Sequence, residues 1–346
     1  MRRKPVAGVT PVPAERLPAV GPAPVPDPDL ESRLLWIWGS PRSGSTWMLQ
    51  LLSHPLEPDP EAELGFKLPP GGAAAVGRPI DSIPVDESFI SNHFSPALAD
   101  PRLVDGRWVP GTINNLMAPK PAYAFSDSFA DAWRPAARDF ALARLTAFID
   151  RARAEGLDVD PACRIVIKET NGSHAADVVM GSLQRSRMLL LIRDGRDVVD
   201  SLLAAYKPNA FMANKLEYSF STDDERAAGL LWAARLWACN TDMTLKAMEQ
   251  HDPELTRVVR YEDLLTDGVT ELKGIYDWLG LQREPGFVDD VIDARAFTKI
   301  SEKQRGPLTR NRSAKPGLWR ENLSRKEQAK VHEICGPLLE RFGYDV

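Results

Sequence analysis

The sequence has few cysteines and no excess of positive charge. Its 346 residues include three cysteines, which stand far apart and lack the spacing of metal ligands: Cys163, Cys239 and Cys335. A sparse, odd number of cysteines argues against a disulfide framework and is typical of proteins in a reducing compartment. The 48 Asp and Glu residues outnumber the 43 Lys and Arg residues, so the net charge is -5. This balance argues against a nucleic-acid binder held by a general basic surface, and any polyanionic ligand must be bound by a local cluster of Arg and Lys.

A long apolar stretch is also missing. No run of about 18 apolar residues occurs, which predicts that the chain has no membrane-spanning helix. Residues 1–4 resemble the basic start of a signal peptide, but prolines stand where its apolar region should follow. We therefore expect a cytoplasmic protein.

Residues 1–30 hold eight of the 29 prolines of the chain, with Ala, Val and Gly between them. Such a composition favours extended or disordered backbone and offers little apolar surface to bury. We predict a disordered tail over 1–30, although a docking site for a partner would have the same composition. Residues 31–346 are predicted to form one domain.

Short apolar runs alternate with helical patterns after residue 33. The runs are of the kind found in buried parallel strands and occupy residues 34–38, 164–167, 188–192 and 256–261. The main helical patterns cover residues 48–52, 139–155 and 224–250, and a capping box at 324–327 precedes a last helix. Strands that alternate with helices predict an α/β fold with three layers, α/β/α, and a mostly parallel central sheet.

Residues 55–135 break this pattern. They are rich in Pro, Gly, Asp and Ser and contain isolated aromatic residues. A long irregular insertion in a compact domain usually forms a lid or one wall of a substrate site, so we predict a substrate-side insertion here. A poorly ordered surface excursion is the alternative.

The first chemical signal is a Gly- and Ser-rich turn between an apolar run and a helical stretch. Residues 39–47 read Gly-Ser-Pro-Arg-Ser-Gly-Ser-Thr-Trp. A strand, a tight turn and a helix start form an oxyanion site, because backbone N–H groups converge there and the helix dipole adds partial positive charge. The segment is close to the loop Gly-x4-Gly-Lys-Ser/Thr, but Ser45 replaces the lysine and the only cation is Arg42. The pattern predicts a phosphate-type loop that is not built to hydrolyse ATP.

A second signal follows the apolar run at 188–192. Arg193 stands where the strand should end, and Ser201 lies one turn into a helix that we expect to begin at Asp197. Both side chains are then expected at the mouth of the sheet, where α/β proteins bind ligands, and an Arg with a hydroxyl is a good phosphate clamp. Alone, the segment Arg-Asp-Gly-Arg-Asp at 193–197 equally fits a salt-bridged turn.

A third signal is the basic stretch over residues 310–320, Arg-Asn-Arg-Ser-Ala-Lys-Pro-Gly-Leu-Trp-Arg. Its cations and its Pro-Gly break fit a flexible loop that closes over an anion, and a solvated basic loop is the alternative. Because each of the three segments suits a different phosphate, their combination is stronger evidence than any one of them.

Together the three segments resemble the sulfotransferases that use 3′-phosphoadenosine-5′-phosphosulfate (PAPS), in a bacterial-type form, and the likeness runs in outline from Leu34 to the C-terminus. In that family a loop Pro-Lys/Arg-Ser-Gly-Ser/Thr-Thr-Trp binds the 5′-phosphosulfate, and residues 41–47 match it at every position. The family's 3′-phosphate site is an Arg followed eight residues later by a Ser, which fits Arg193 and Ser201. Its closing motif Arg-Lys-Gly-x-x-Gly-x-Trp is matched in part at 312–319.

The resemblance implies a fold like that of the P-loop NTPases and a role for each matched residue. It assigns the 5′-phosphate to Ser43, Gly44, Ser45 and Thr46, the bridging oxygen to Arg42, the 3′-phosphate to Arg193 and Ser201, the adenine to Trp47 and Tyr261, and the closing of the cofactor site to Arg312. A cation at the bridging oxygen makes physical sense, because the leaving oxygen gains negative charge in the loose transition state of sulfuryl transfer. No metal is required, since Arg and Lys can neutralise a group that carries less charge than a terminal phosphate.

The base that takes the proton from the acceptor is ambiguous. Many relatives place Lys-Thr-His at the end of the strand before Arg193, whereas this chain has Lys168 in the lysine position and Thr170 in the histidine position. Other branches of the family use a carboxylate from the segment after the phosphosulfate loop. The candidates are therefore Glu87, Glu169 and His174, with His93 as a further one. Each of these residues also fits an ordinary structural role.

The sequence thus predicts an enzyme that moves a sulfuryl group from PAPS to a hydroxyl or amine of a small-molecule, lipid or sugar acceptor, leaving adenosine 3′,5′-bisphosphate (PAP). A P-loop kinase-like phosphotransferase is one alternative, and it would need Lys at position 45 and an acidic strand end for Mg²⁺. A non-catalytic nucleotide-binding module is the other. No nucleic-acid partner is expected, and the sequence leaves the acceptor and the oligomeric state open.

Overall fold

A five-stranded parallel sheet forms the centre of the fold, with helices on both of its faces. The structure is a computed structural model that describes residues 27–59, 62, 65–72, 76, 79–86, 101–109, 120–309 and 311–345. The predicted α/β fold with a parallel central sheet is confirmed.

The strands of the described residues are β1 Leu34–Gly39, β2 Glu57–Pro58, β3 Phe66–Lys67, β4 Ile80–Asp86, β5 Arg102–Val104, β6 Arg107–Val109, β7 Val159–Lys168, β8 Arg187–Ile192 and β9 Thr256–Arg260. The central sheet has the order β4-β7-β1-β8-β9, and every neighbouring pair in it is parallel. Two small antiparallel pairs, β2–β3 and β5–β6, lie outside it.

The helices of the described residues are α1 Ser45–Leu52, α2 Ala130–Ala154, α3 Ala176–Ser182, α4 Gly195–Ala205, α5 Phe211–Leu216, α6 Asp223–Glu249, α7 Tyr261–Thr266, α8 Gly268–Trp278, α9 Phe287–Ala294, α10 Trp319–Asn322 and α11 Arg325–Arg341. None of them is long and apolar enough to cross a membrane.

Strand β1 is buried on both faces, as its uninterrupted apolar run predicts. Successive side chains point to opposite faces, so Trp36 and Trp38 pack in one core with α2 and α3, while Leu35 and Ile37 pack in another with α1 and α8. A third core joins β8 to α4, α6 and α11. The sheet therefore forms the middle layer of three.

The folded part of the chain begins before residue 31. Leu30 is fully buried, and the buried carboxylate of Glu31 accepts hydrogen bonds from Arg138 Nε at 2.6 Å and from the Arg185 N–H at 2.8 Å. Leu30, which falls within the predicted tail, therefore packs in the hydrophobic core, and the boundary itself stays a prediction. Residues 1–26 lie outside the described part, and the disordered tail stays a prediction.

The interval 55–135 is not irregular throughout, because it contains β4, an edge strand of the central sheet. Pro84 obscured this strand in the sequence: proline has no N–H to donate, and it is tolerated in a sheet only at an edge or a bulge. Helix α2 also begins within this interval, at Ala130 instead of the predicted 139, and carries Pro135 near its start. The role of the interval as a lid or substrate wall stays a prediction.

The remaining elements follow the sequence closely. Ser324 and Glu327 form the predicted capping box at the start of α11. Strand β9 ends at Arg260, one residue earlier than predicted, because Tyr261 is the first residue of α7.

Candidate active site

The residues singled out in the sequence collect at the carboxyl edge of the sheet. The loop 40–46 follows β1, Lys168 ends β7, Arg193 follows β8 and Tyr261 follows β9. In parallel α/β sheets this edge is where ligands bind.

The loop after β1 is a tight turn into α1. The Ser43 N–H donates to the Ser40 carbonyl at 3.2 Å, and Gly44 is the N-cap residue with φ +94°. Arg42 also has a positive φ, +72°, which is uncommon for a residue with a side chain. A Cβ at Gly44 would lie 2.5 Å from the Tyr261 ring, so only glycine fits both the backbone and the space.

Ser173 holds the start of this loop in place. Its Oγ donates to the Gly39 carbonyl at 2.6 Å and accepts the Gly39 N–H at 2.9 Å, and the residue is fully buried. Sequence reasoning missed Ser173, because a serine in the turn Asn-Gly-Ser-His resembles many turn serines.

Arg42 links the loop to the second segment. Its Nε donates to Ser201 Oγ at 3.1 Å, and its guanidinium lies over the Phe211 ring at 5.2 Å from the centroid. The two segments predicted to bind opposite ends of one ligand are thus in direct contact through this side chain.

Arg193 is fixed from three sides and is 7% exposed. Its Nη1 donates to the Arg42 carbonyl at 3.0 Å, and its guanidinium lies 4.6 Å from the centroid of the Tyr261 ring. Its carbonyl accepts the indole N–H of Trp237 in α6 at 3.1 Å. The positive charge is therefore held at the edge of the sheet beside the loop.

The segment 193–197 forms a salt-bridged turn as well as presenting Arg193. Asp194 pairs with Arg196 through both carboxylate oxygens and caps α4 by accepting the Arg196 N–H at 2.9 Å. Helix α4 consequently begins at Gly195, two residues before the predicted start at Asp197. The salt bridge of this turn joins Asp194 and Arg196, whereas the predicted phosphate clamp concerns Arg193.

Lys168 joins the loop to the edge strand. Its Nζ donates to Thr46 Oγ1 at 3.2 Å and lies 2.6 Å from Asp86 Oδ1. Asp86 ends β4 directly beside Lys168 in the parallel register, and the two side chains are 6% and 1% exposed. Asp86 directly precedes Glu87, one of the candidate bases, but the sequence did not predict this ion pair.

Trp47 and Tyr261 lie next to each other beside the loop. Their rings meet edge to face with centroids 6.1 Å apart, and Trp47 Nε1 donates to the Arg295 carbonyl at 2.9 Å. Burial raises the pKa of the Tyr261 hydroxyl, so this residue is neutral at neutral pH.

Arg312 approaches the same region from the C-terminal part of the chain. It forms an ion pair with Asp200 on α4, one residue before Ser201. Asn311 and residues after it are described, whereas Arg310 lies outside the described residues.

The candidates for the base are less well placed. His174 is 6% exposed, and desolvation lowers its pKa to about 4, while Glu169 is fully buried. Glu87 and His93 lie outside the described residues. A base works best when its pKa is near the working pH and its atoms reach the acceptor, so His174 fits the role poorly. The described residues contain no cluster of three His, Cys, Asp or Glu side chains that could hold a metal ion.

Two kinds of comparison link the chain to known proteins. The sequence model of the Sulfotransferase family matches residues 35–285. Carbohydrate sulfotransferase 1 of Danio rerio is 32% identical over 88 residues, which cover 25% of this chain and 21% of that protein. Carbohydrate sulfotransferase 2 of Homo sapiens is 31% identical over 88 residues, which cover 25% of this chain and 17% of that protein. The chain therefore spans only about a fifth of the length of these curated relatives.

Solved structures of low sequence identity also match. A mouse sulfotransferase complexed with PAP has a TM-score of 0.47 at 15% identity, with 90% of this chain and 87% of that chain covered. A sulfotransferase from Mycobacterium avium has a TM-score of 0.47 at 13% identity, with coverages of 94% and 79%. The family match, which extends over most of the chain, decides the question: this protein belongs to the sulfotransferase family.

Proposed function

We propose that the protein transfers a sulfuryl group from PAPS to a hydroxyl or amine of a small-molecule, lipid or carbohydrate acceptor. The observation that carries the proposal is the junction at the carboxyl edge that Arg42 forms with two other predicted site residues: its Nε donates to Ser201 Oγ, and its carbonyl accepts a hydrogen bond from Arg193 Nη1. In a member of the sulfotransferase family, this junction suits a ligand with an anionic group at each end.

Buried polar atoms in the loop support a phosphate ligand. Ser40 Oγ, Ser43 Oγ and Arg193 Nε are buried and have no hydrogen-bond partner within the described chain. An unsatisfied buried donor or acceptor costs about 1–3 kcal/mol, so such groups are normally paired. Phosphate oxygens would accept hydrogen bonds from all three, and Ser40 thereby joins the predicted site residues.

The remaining roles follow the motifs of the family, and Arg312 is added to the 3′-phosphate group because its partner Asp200 directly precedes Ser201. Ser43, Gly44, Ser45 and Thr46 would hold the 5′-phosphate, Arg193, Ser201 and Arg312 the 3′-phosphate, and Trp47 and Tyr261 the adenine. Arg42 and Lys168 would stabilise the negative charge that develops on the leaving oxygen. Within the described residues, nothing in this arrangement uses a metal ion.

For the base, we propose a carboxylate from the end of β4. Glu169 is fully buried, and the lowered pKa of His174 makes it a weak proton acceptor; Asp86 is buried too, but its partner Lys168 contacts Thr46 of the loop. Asp86 ends β4 beside Lys168, and Glu87 follows it in the sequence. The variants D86N, E87Q, E169Q and H174A separate these choices by their transfer rates, and near-normal turnover in all four would reject the whole set.

A transfer assay with ³⁵S-labelled PAPS and a panel of sugars, lipids and small hydroxyl or amine compounds tests the function. We expect label on at least one acceptor, and we expect R42A to lower the rate about 100-fold, as the loss of one transition-state contact does elsewhere. Carbohydrates belong in the panel because the curated relatives are named carbohydrate sulfotransferases.

The same assay with γ-³²P-labelled ATP tests the alternatives. A kinase-like activity is not favoured, because Ser45 stands in the lysine position and Asp194 is tied to Arg196. Transfer from ATP and not from PAPS would nevertheless establish it. Binding of PAP without transfer to any acceptor would instead support a non-catalytic module.

A further inference from the structure

Two buried carboxylates of α4 face the C-terminal part of the chain. Asp197 and Asp200 are 1% and 4% exposed, and residues three apart lie on the same side of a helix. Both contact the segment Asn311–Asn322, which is called the closing segment below.

The two carboxylates contact four residues of the closing segment. Asp197 accepts the Gly317 N–H at 2.7 Å and the Trp319 N–H at 3.3 Å. Asp200 pairs with Arg312 and accepts a hydrogen bond from Nδ2 of Asn322 at 3.0 Å. One turn of helix therefore holds both ends of the segment.

Burying two carboxylates this closely is costly unless their partners compensate for the lost water. For Asp197 the desolvation raises the pKa of the carboxyl, and the two amide hydrogen bonds and the nearby charge of Arg193 oppose that shift. An apolar contact would hold the segment without this desolvation cost, but it would not orient hydrogen-bond donors. The two carboxylates do orient the donors of the segment.

The donor that matters is the guanidinium of Arg312. An arginine has five N–H donors in a planar fork, so it can pair with a carboxylate and a phosphate at the same time. Asp200 precedes Ser201 on α4, and Ser201 contacts Arg42. Arg312 is thus bound by the residue that directly precedes Ser201, a member of the predicted 3′-phosphate site.

We propose that Asp200 is a positioning residue that aims Arg312 at the 3′-phosphate of the cofactor, while Asp197 fixes the backbone of the closing segment over it. The inference rests on the proposed function, which assigns Arg312 to the 3′-phosphate. In this arrangement Arg312 keeps its bond to Asp200 when the cofactor binds.

Calorimetric titration with PAP and with adenosine 5′-phosphate, which lacks the 3′-phosphate, tests the proposal. We expect D200N to weaken PAP binding about tenfold and to change adenosine 5′-phosphate binding less than twofold. The double variant D200N/R312A should bind PAP no more weakly than R312A alone, because Asp200 acts through Arg312. Wild-type affinity of D200N for PAP, or an equal loss for both nucleotides, would overturn the proposal.

The R312A variant separates this inference from the function on which it rests. Wild-type PAP affinity in R312A would remove the 3′-phosphate role of Arg312 itself. Weak binding in R312A with normal binding in D200N would leave that role intact and overturn only the role of Asp200.

Asp242 provides a matched control. It lies on α6, is buried, accepts the Trp108 N–H at 2.8 Å and pairs with Arg107 at 3.2 Å, so it binds another segment by the same chemistry. D242N should leave PAP affinity unchanged. Should D200N fail to fold, D200S takes its place: serine lacks the carboxylate that holds Arg312, so PAP binding should weaken about tenfold, and wild-type affinity would overturn the proposal.

Discussion

The two halves of the sheet's carboxyl edge are built in different ways. At the ends of β1 and β8, Arg42 and Arg193 each come from a short motif directly after the strand, and each guanidinium lies against an aromatic ring. At the ends of β7 and β4, Lys168 and Asp86 pair across two strands. The first half has the character of a binding site for phosphate groups that do not react. The second half holds a charge pair beside the loop, where proton and charge movements are expected.

This contrast leads to an expectation about mutants: apart from Arg42, which is expected to act on turnover, changes in the first half should alter nucleotide affinity, and changes in the second half should alter turnover. The largest loss is expected for Gly44→Ala. Its positive φ and the Tyr261 ring 2.5 Å from the added Cβ would force the loop and the ring apart. We expect PAP binding to weaken at least about 100-fold by calorimetry.

Gly280→Ala is the control for that variant. Gly280 has a φ of +70°, but no atom lies within 4 Å of the added Cβ. It should lose about 1 kcal/mol of stability and bind PAP normally. Normal PAP binding by Gly44→Ala itself would show that the loop does not hold the nucleotide.

The next largest effect is expected for Arg193→Ala. Removing a charge-assisted contact to a phosphate should raise the Kd for PAP about 30- to 100-fold while that for adenosine 5′-phosphate changes less than threefold. Arg187→Ala, at the other end of β8, should bind both nucleotides as the wild type does. Equal losses for the two nucleotides in Arg193→Ala would contradict a 3′-phosphate site.

Lys168→Met probes the other half of the edge. Loss of a cation beside the leaving oxygen should lower kcat about 50-fold while the Kd for PAP changes less than threefold. Because the substitution leaves the buried Asp86 without this lysine, the double variant Lys168→Met/Asp86→Asn should be measured beside it, with its folding checked by thermal unfolding. A loss of PAP affinity as large as that in Arg193→Ala would erase the distinction between the two halves.

The smallest effect on activity is expected for His174→Gln, less than twofold in the transfer rate. Its effect is on stability. Burial lowers the folded-state pKa of His174 to about 4 from 6.5, so below pH 6.5 the unfolded chain binds a proton that the folded chain does not. The wild type should therefore lose about 3 kcal/mol of unfolding free energy between pH 6.5 and 4 that His174→Gln keeps.

Urea unfolding at several pH values measures this difference, with the exposed His332→Gln as control. Parallel pH dependence of the wild type and His174→Gln would contradict the burial of the imidazole as its cause.

The difference between the two halves also explains what could be predicted from the sequence. The loop, Arg193, Ser201 and Arg312 can be proposed from the sequence because each lies in a motif whose spacing is set locally. Asp86 and Asp200 were not found as partners, because their importance depends on register and on a contact made more than a hundred residues away. Pro84 also makes β4 hard to recognise as a strand in the sequence.

The fold was easier to predict than the site for the same physical reason. A strand buried on both faces needs an apolar run, and a helix start needs a cap, so β1, β8 and α11 are visible in a few residues each. The catalytic base has no such sequence pattern. Any carboxylate or imidazole in a turn is an equally good candidate in the sequence, and the burial of His174 and Glu169 becomes visible only in the structure.

The contact between Gly195 and Trp237 has a consequence for how this protein can evolve. A Cβ at Gly195 would lie 2.8 Å from the Trp237 ring, and the same ring donates its N–H to the carbonyl of Arg193. A side chain at position 195 therefore requires the Trp237 ring to shift or to be replaced by a smaller one, and either change disturbs the hydrogen bond to Arg193. Substitutions at positions 195 and 237 are thus expected to be coupled.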